Sequence, residues 1–242
     1  YPVAEVVCLE LDPALVRLWQ SGGARREAVD DARVRVVVAD SRVYLRETAD
    51  RFDVVLMRLP DPATALLNRF YTTEFCREAK RVLRAGGVLA WALGRYENVV
   101  SPDLARLLST GRRTLESAFR HVEVLPGGRV WFLASDGPLT ADVAAALEAA
   151  RIPTRSLSRA YLEAQFSRDR RADMERATTR AVRRNSDLNP VLYWEHLRHW
   201  LGQYPVRWGL PAGAVGLLLL WWLARWRGPR VTLLATGFSA SA

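Results

Sequence analysis

A chain of 242 residues, half of them apolar, can bury one sizeable core and still leave segments over for other uses. The formal charge of +9 is carried almost wholly by arginine, since Lys80 is the single lysine. Those arginines are scattered and no nucleic-acid-binding motif accompanies them, which argues against nucleic acid as a partner. Cys8 and Cys76 fall inside a strand and a helix pattern without metal-ligand spacing, so both read as packed thiols and no metal is expected.

Residues 1–150 alternate short β-branched runs with amphipathic stretches, the mark of an α/β sheet with crossover helices. The runs predict strands at Val3–Leu9, Val34–Val38, Phe52–Met57 and Val88–Ala92. Two more, His121–Leu125 and Val130–Ala134, are joined by Pro126-Gly127-Gly128-Arg129, which predicts an antiparallel hairpin closing a mostly parallel sheet. Asp12-Pro13 opens one helix, and Thr72–Leu83 carries another that stops at Gly86-Gly87. Ser101-Pro102-Asp103 opens a third that runs to Phe119, with Ser at the N-cap, Pro in the first turn and an acid behind it.

Residues 151–204 read as a basic helical linker region. Arg168–Arg184 is a solvated, arginine-rich helical stretch, Asn185–Pro190 is turn chemistry, and Val191–Leu201 is a helix with aromatics at Tyr193, Trp194 and Trp200. His196 and His199 stand three apart on it, but no carboxylate or thiol pattern completes a metal site, which favours a structural role. Residues 205–242 read as a membrane segment, one full and one truncated transmembrane helix. Gly209–Ala224 contains no charge and rises roughly 24 Å as a helix, against a hydrocarbon core of about 30 Å. Trp208, Trp221, Trp222 and Trp226 suit interface depth, Arg207 and Arg225 suit snorkelling, and Val231–Ala242 is a second apolar run. The chain opens directly on a strand pattern and stops inside an apolar run, so an internal piece of a longer protein is expected.

The richest stretch joins the strand Phe52–Met57 to the loop Arg58-Leu59-Pro60-Asp61-Pro62, a helix with Phe75-Cys76, and a turn at Ala85-Gly86-Gly87. In α/β proteins the loop leaving the carboxyl end of such a strand is where ligands sit. The stretch resembles the spermidine and spermine synthase family (polyamine aminopropyltransferases), with an Asp-Ser-Ser-Asp-Pro type loop, then Phe-Tyr on a helix and a Pro-Gly-Gly type turn. The resemblance covers Val3–Ala134 well and the rest loosely. Asn68-Arg69-Phe70-Tyr71 and the tail Ala235–Ser239 resemble a membrane-embedded branch of that family.

The resemblance implies a Rossmann-like, class I methyltransferase-like fold, incomplete at the N-terminus because the glycine-rich nucleoside turn would precede Tyr1. It implies aminopropyl transfer from decarboxylated S-adenosylmethionine to an amine or polyamine. Glu10 closes the first strand, where a carboxylate suits two ribose hydroxyls, although an ordinary strand-end acid reads the same way. Asp40, with Ser41 beside it, matches the family acid that meets the adenine amino group. Asp61 matches the second acid of the family loop, on the amine side. Arg58 replaces the first, the family's catalytic base. A guanidinium does not give up its proton. Pointing inward it would repel a diamine by roughly 3 kcal/mol at about 5 Å and an effective dielectric of about 20; turned away, it would pair with an acid such as Glu97.

Two other functions stay open: a sensing or transport-coupled membrane protein that kept the fold and lost the chemistry, and a methyltransferase using intact S-adenosylmethionine. The partners expected are the small amine and membrane lipid, with a homo-oligomer left open. The expected location is a bacterial inner membrane, with the synthase-like domain on the cytoplasmic side.

Overall fold

The computed structural model describes residues 3–22, 29–96, 99–140, 142–154, 157–202 and 209–226. Strand β1 (Val6–Glu10) leads through Asp12, whose side chain caps Ala14 N at 2.8 Å, into helix α1 (Pro13–Gln20). Strand β2 (Val34–Val38) leads in the same way through Asp40 into α2 (Ser41–Glu47). Strand β3 (Phe52–Met57) is followed by the short α3 (Ala65–Asn68) and by α4 (Thr73–Val82), each started by a threonine N-cap.

Helix α4 gives way to an extended Leu83, where the sequence predicts helix, and β4 runs over Leu83–Arg95. Its ladder to β3 shifts register between Phe52 and Val54, and Gly86, with φ of +74°, makes the turn that absorbs the extra residues. Then come α5 (Pro102–Leu115), the hairpin β5 (His121–Leu125) and β6 (Arg129–Ser135), α6 (Val143–Ala149), α7 (Arg159–Gln165), α8 (Arg168–Thr178) and α9 (Val191–Gly202).

The sheet is mixed rather than mostly parallel, and the expected antiparallel hairpin at its end is present. Among the described residues the strands form two sheets, β1-β2 and β3-β4-β6-β5. The first is parallel; in the second only β3 and β4 are parallel, while β4-β6 and β6-β5 are antiparallel, because the Pro126–Gly128 turn is too short for a crossover. The core lies on the four-stranded sheet, where Tyr71 and Trp91 rings meet at 5.3 Å and Trp91 and Phe132 at 6.5 Å. Cys76 is fully buried in that core, and its thiol is pushed up by burial; Cys8 is half-buried.

Side chains tie the β1-β2 layer to the rest. Arg42, 5% exposed, donates to Glu78 at 2.7 and 3.0 Å and to Asp187 at 2.9 and 2.7 Å, and Arg46 reaches the same Glu78 at 2.8 Å. Arg81 of α4 donates to the Arg46 carbonyl at 2.8 Å. Asp187 belongs to the turn before α9, which buried Asn185 anchors: its amide donates to Asn68 Oδ1 at 3.1 Å and Tyr71 O at 2.9 Å, and its Oδ1 accepts from Leu192 N at 3.0 Å.

A second compact unit, Gln203–Ala242, is described over one helix, α10 (Gly209–Trp226). The transmembrane span expected there is corrected: no helix among the described residues is long and apolar enough to cross a membrane. Eighteen residues rise only about 27 Å, short of a core of about 30 Å, and Arg225 lies in the last turn. Leu217–Leu220 and Trp221–Leu223 are nonetheless exposed. The second apolar run lies outside the described residues.

Removing one partner of a buried ion network leaves unpaired charge behind. Arg42→Ala should therefore cost about 3 kcal/mol or more of stability, read as a shift in the urea midpoint of the full-length protein. Burial raises the Glu78 carboxyl, but Arg42 and Arg46 outweigh it and hold it below its usual range; Arg42 is the main cause of the same lowering at Asp187. Carboxyls lowered on folding add stability above their unfolded pKa, about 4, that is lost as pH falls through their folded values. Wild type should lose stability below about pH 4, and the Arg42→Ala variant should show a shallower loss there.

Candidate functional site

The acids singled out in the sequence close the carboxyl ends of β1, β2 and β3. Glu10 is the last residue of β1, half-buried, and its Oε1 accepts from Asp12 N at 3.0 Å. The Ala39 amide donates to the Glu10 carbonyl at 3.0 Å, so the ends of β1 and β2 lie side by side. Asp40 caps α2 through Arg42 N at 2.9 Å and Val43 N at 3.3 Å, and its other oxygen pairs with Arg69. Burial pushes the Asp40 carboxyl up, but Arg69 and the two amides prevail and hold it below the ordinary range. Ser41, half-buried, is the first residue of α2, and its hydroxyl makes no hydrogen bond among the described residues. The Arg69 guanidinium also stacks on Phe70 at 4.6 Å.

Asp61 lies in the loop after β3. Its Oδ1 accepts from Gly94 N at 3.1 Å and is paired with Arg129. Arg129 in turn donates to the carbonyls of Leu59 at 3.3 Å and Ala92 at 3.2 Å, holding the loop against β4. The Tyr71 hydroxyl, fully buried, donates to Pro60 O at 2.8 Å, and burial together with the nearby Asp61 charge drives its pKa upward. Gly94 has φ of +70°, and a Cβ there would come within 2.8 Å of the Leu104 side chain, so the amide that meets Asp61 depends on glycine. Arg58 is exposed and makes no ion pair among the described residues; Glu97, its candidate partner, lies outside them.

His196 of α9 stands near this loop. Its Nδ1 is buried without a hydrogen-bond partner, and burial lowers its pKa, with Asp61 pulling the other way and His199 adding to the lowering. The structure thus joins to Asp61 three groups the sequence left outside the site: Arg129, Gly94 and His196. Arg129 is sixty-eight residues away, and its only local signal was the glycine turn before it. Among the described residues no cluster of metal-ligating side chains occurs.

Residues 1–98 match the family model of the spermine/spermidine synthase domain. Polyamine aminopropyltransferase 1 of Streptomyces coelicolor is 38% identical over 89 residues, 35% of this chain and 17% of that protein. The polyamine aminopropyltransferase of Nitrosomonas europaea is 30% identical over 139 residues, 55% of this chain and 42% of that protein. The chain therefore spans less than half the length of these curated relatives. Among solved structures, a spermidine synthase in complex with the transition-state analogue AdoDATO superposes with a TM-score of 0.55 at 18% identity, over 73% of this chain and 61% of that one. Spermidine synthase from Thermotoga maritima gives 0.51 at 16% identity, over 73% and 60%. The Rossmann-like fold is shared with both.

Because burial lowers its pKa, His196 should be neutral at pH 7, with an NMR titration midpoint below the ordinary value of about 6.5. Asp61 raises that pKa, so Asp61→Asn should lower the midpoint further. A midpoint that does not move would separate the two residues.

Proposed function

We propose that this protein transfers an aminopropyl group from decarboxylated S-adenosylmethionine to an amine. The observation that carries this reading is the row of carboxylates, Glu10, Asp40 and Asp61, at the carboxyl ends of β1, β2 and β3, inside the stretch that matches the synthase domain. That edge is where α/β proteins hold nucleotide-type ligands. The names of the matched relatives point to the same chemistry.

In this reading Glu10 takes the ribose. Among the described residues one of its acceptor sites is used, by Asp12 N, which leaves room for two hydroxyl donors. Asp40, next to Ser41, meets the adenine amino group with the acceptor capacity left by its cap bonds and Arg69. Asp61 faces the amine. The amine's nitrogen lone pair forms the new C–N bond, the C–S bonding pair goes to sulfur, the sulfonium becomes a neutral thioether, and the nitrogen gives its proton to water. Arg58 cannot take that proton, and Asp61 is engaged by Arg129, so turnover with a plain diamine is slow in this reading.

The same Asp61–Arg129 pair favours a second reading, a protein that binds the nucleoside or amine without turning it over. Release of methylthioadenosine from decarboxylated S-adenosylmethionine in the presence of an amine separates the two.

Membrane attachment, with the synthase-like part on the cytoplasmic side, is a further part of the proposal. Its support is the exposed apolar run Leu217–Leu220 and Trp221–Leu223, which water solvates poorly, and the cytoplasmic origin of adenosyl metabolites. The full-length protein should stay with the membrane fraction through a high-salt wash; recovery in the soluble fraction would remove this part. For the site itself, Glu10→Gln should weaken binding of an adenosyl nucleoside by about 1–3 kcal/mol, measured by calorimetry. Unchanged affinity would take Glu10 out of the site.

A further inference from the structure

The edge of the four-stranded sheet that holds Asp61 also carries three arginines. Arg58 follows β3, Arg95 ends β4 and Arg129 opens β6. Arg95 and Arg129 are register partners across the antiparallel β4-β6 pair. Like charges opposite one another on neighbouring strands destabilise a sheet unless an anion offsets them. Asp61 is the anion paired with Arg129. Arg58 and Arg95 are both exposed, and neither has an ion pair among the described residues. Beside them Tyr96, buried, carries the Arg170 guanidinium on its ring at 4.9 Å.

A substrate with only ammonium groups would meet three guanidiniums at this edge, with the Asp61 carboxylate already engaged by Arg129. An amine that also bears a carboxylate would meet the opposite situation: guanidiniums at Arg58 and Arg95 recognise carboxylates through charge-assisted, forked hydrogen bonds. We infer that the edge formed by Arg58, Arg95 and Arg129 binds a carboxylate, and that the acceptor is an amine of the amino-acid class rather than a plain diamine. This rests on the aminopropyl-transfer reading for the identity of the reaction, but the carboxylate site itself stands on the placement of the arginines.

The test uses matched pairs on the full-length protein, by calorimetry. Ornithine is putrescine with a carboxylate added, and S-adenosylmethionine is its decarboxylated form with the same group added. Ornithine should bind at least about tenfold more tightly than putrescine. Arg58→Asp should abolish that preference or reverse it, and Arg95→Gln should reduce it; both side chains are exposed, so both variants should fold. Equal or tighter binding of putrescine to wild type would overturn the inference. A carboxylate preference found only in the adenosyl pair would overturn its assignment to the acceptor. Methylthioadenosine, which lacks both groups, separates the two levels. If it binds and no carboxylate preference appears, only the inference fails. If it does not bind while ornithine is still preferred, the carboxylate site stands and the aminopropyl-transfer reading fails.

Discussion

Arg42 is the interaction on which the site's geometry depends. A guanidinium 5% exposed is costly to bury, and it is tolerated here because two carboxylates, Glu78 and Asp187, take its hydrogen bonds. What makes it decisive is that it links α2, which follows β2, to α4 and to the turn before α9. Strands β1 and β2 share no ladder with β3 among the described residues. Arg42, the Arg69–Asp40 pair and Arg81 on the Arg46 carbonyl tie α2 and the end of β2 to the segment after β3.

Arginine plays the same part at the β3 loop. The irregular segment Arg58–Pro62 has no ladder of its own, yet Arg129 reaches the Leu59 carbonyl and Asp61, and Tyr71 reaches the Pro60 carbonyl. The Asp61 carboxylate is thus both a structural acceptor and the group best placed to meet an amine. Those roles compete, since an acid that satisfies Arg129 has less charge to offer a cationic ligand. His196 enters from a helix anchored through Asn185, outside the stretch matched to the synthase domain, and burial lowers its pKa. The site is therefore built from both halves of the first compact unit and not from the matched stretch alone.

Local chemistry set most element boundaries: Asp12 before Pro13, Asp40 before Ser41, Thr72 before Thr73 and Ser101 before Pro102 all act as N-caps where short-range hydrogen bonding requires them. The hairpin over His121–Ala134 was legible for the same reason, because a glycine turn between two β-branched runs leaves little choice. Where sequence reading failed, a longer-range effect intervened. An apolar run without charge reads as a membrane span by composition, but the helix described over Gly209–Trp226 holds eighteen residues and is not long and apolar enough to cross a membrane. Leu83 reads as helical by pattern but becomes the first residue of β4, because pairing with Phe52 supersedes local propensity.

By itself the sequence determined the alternation of strands and helices, the caps that start them, and the placing of Glu10, Asp40 and Asp61 at strand ends, since all of these follow from interactions between residues a few positions apart. Only the tertiary structure decided what those acids face. Asp40 met Arg69 and Asp61 met Arg129 across separations of 29 and 68 residues, and no periodicity or motif encodes such pairings. They arise when packing brings distant segments to the carboxyl ends of the strands, where the neighbours that folding supplies set the electrostatics of each acid.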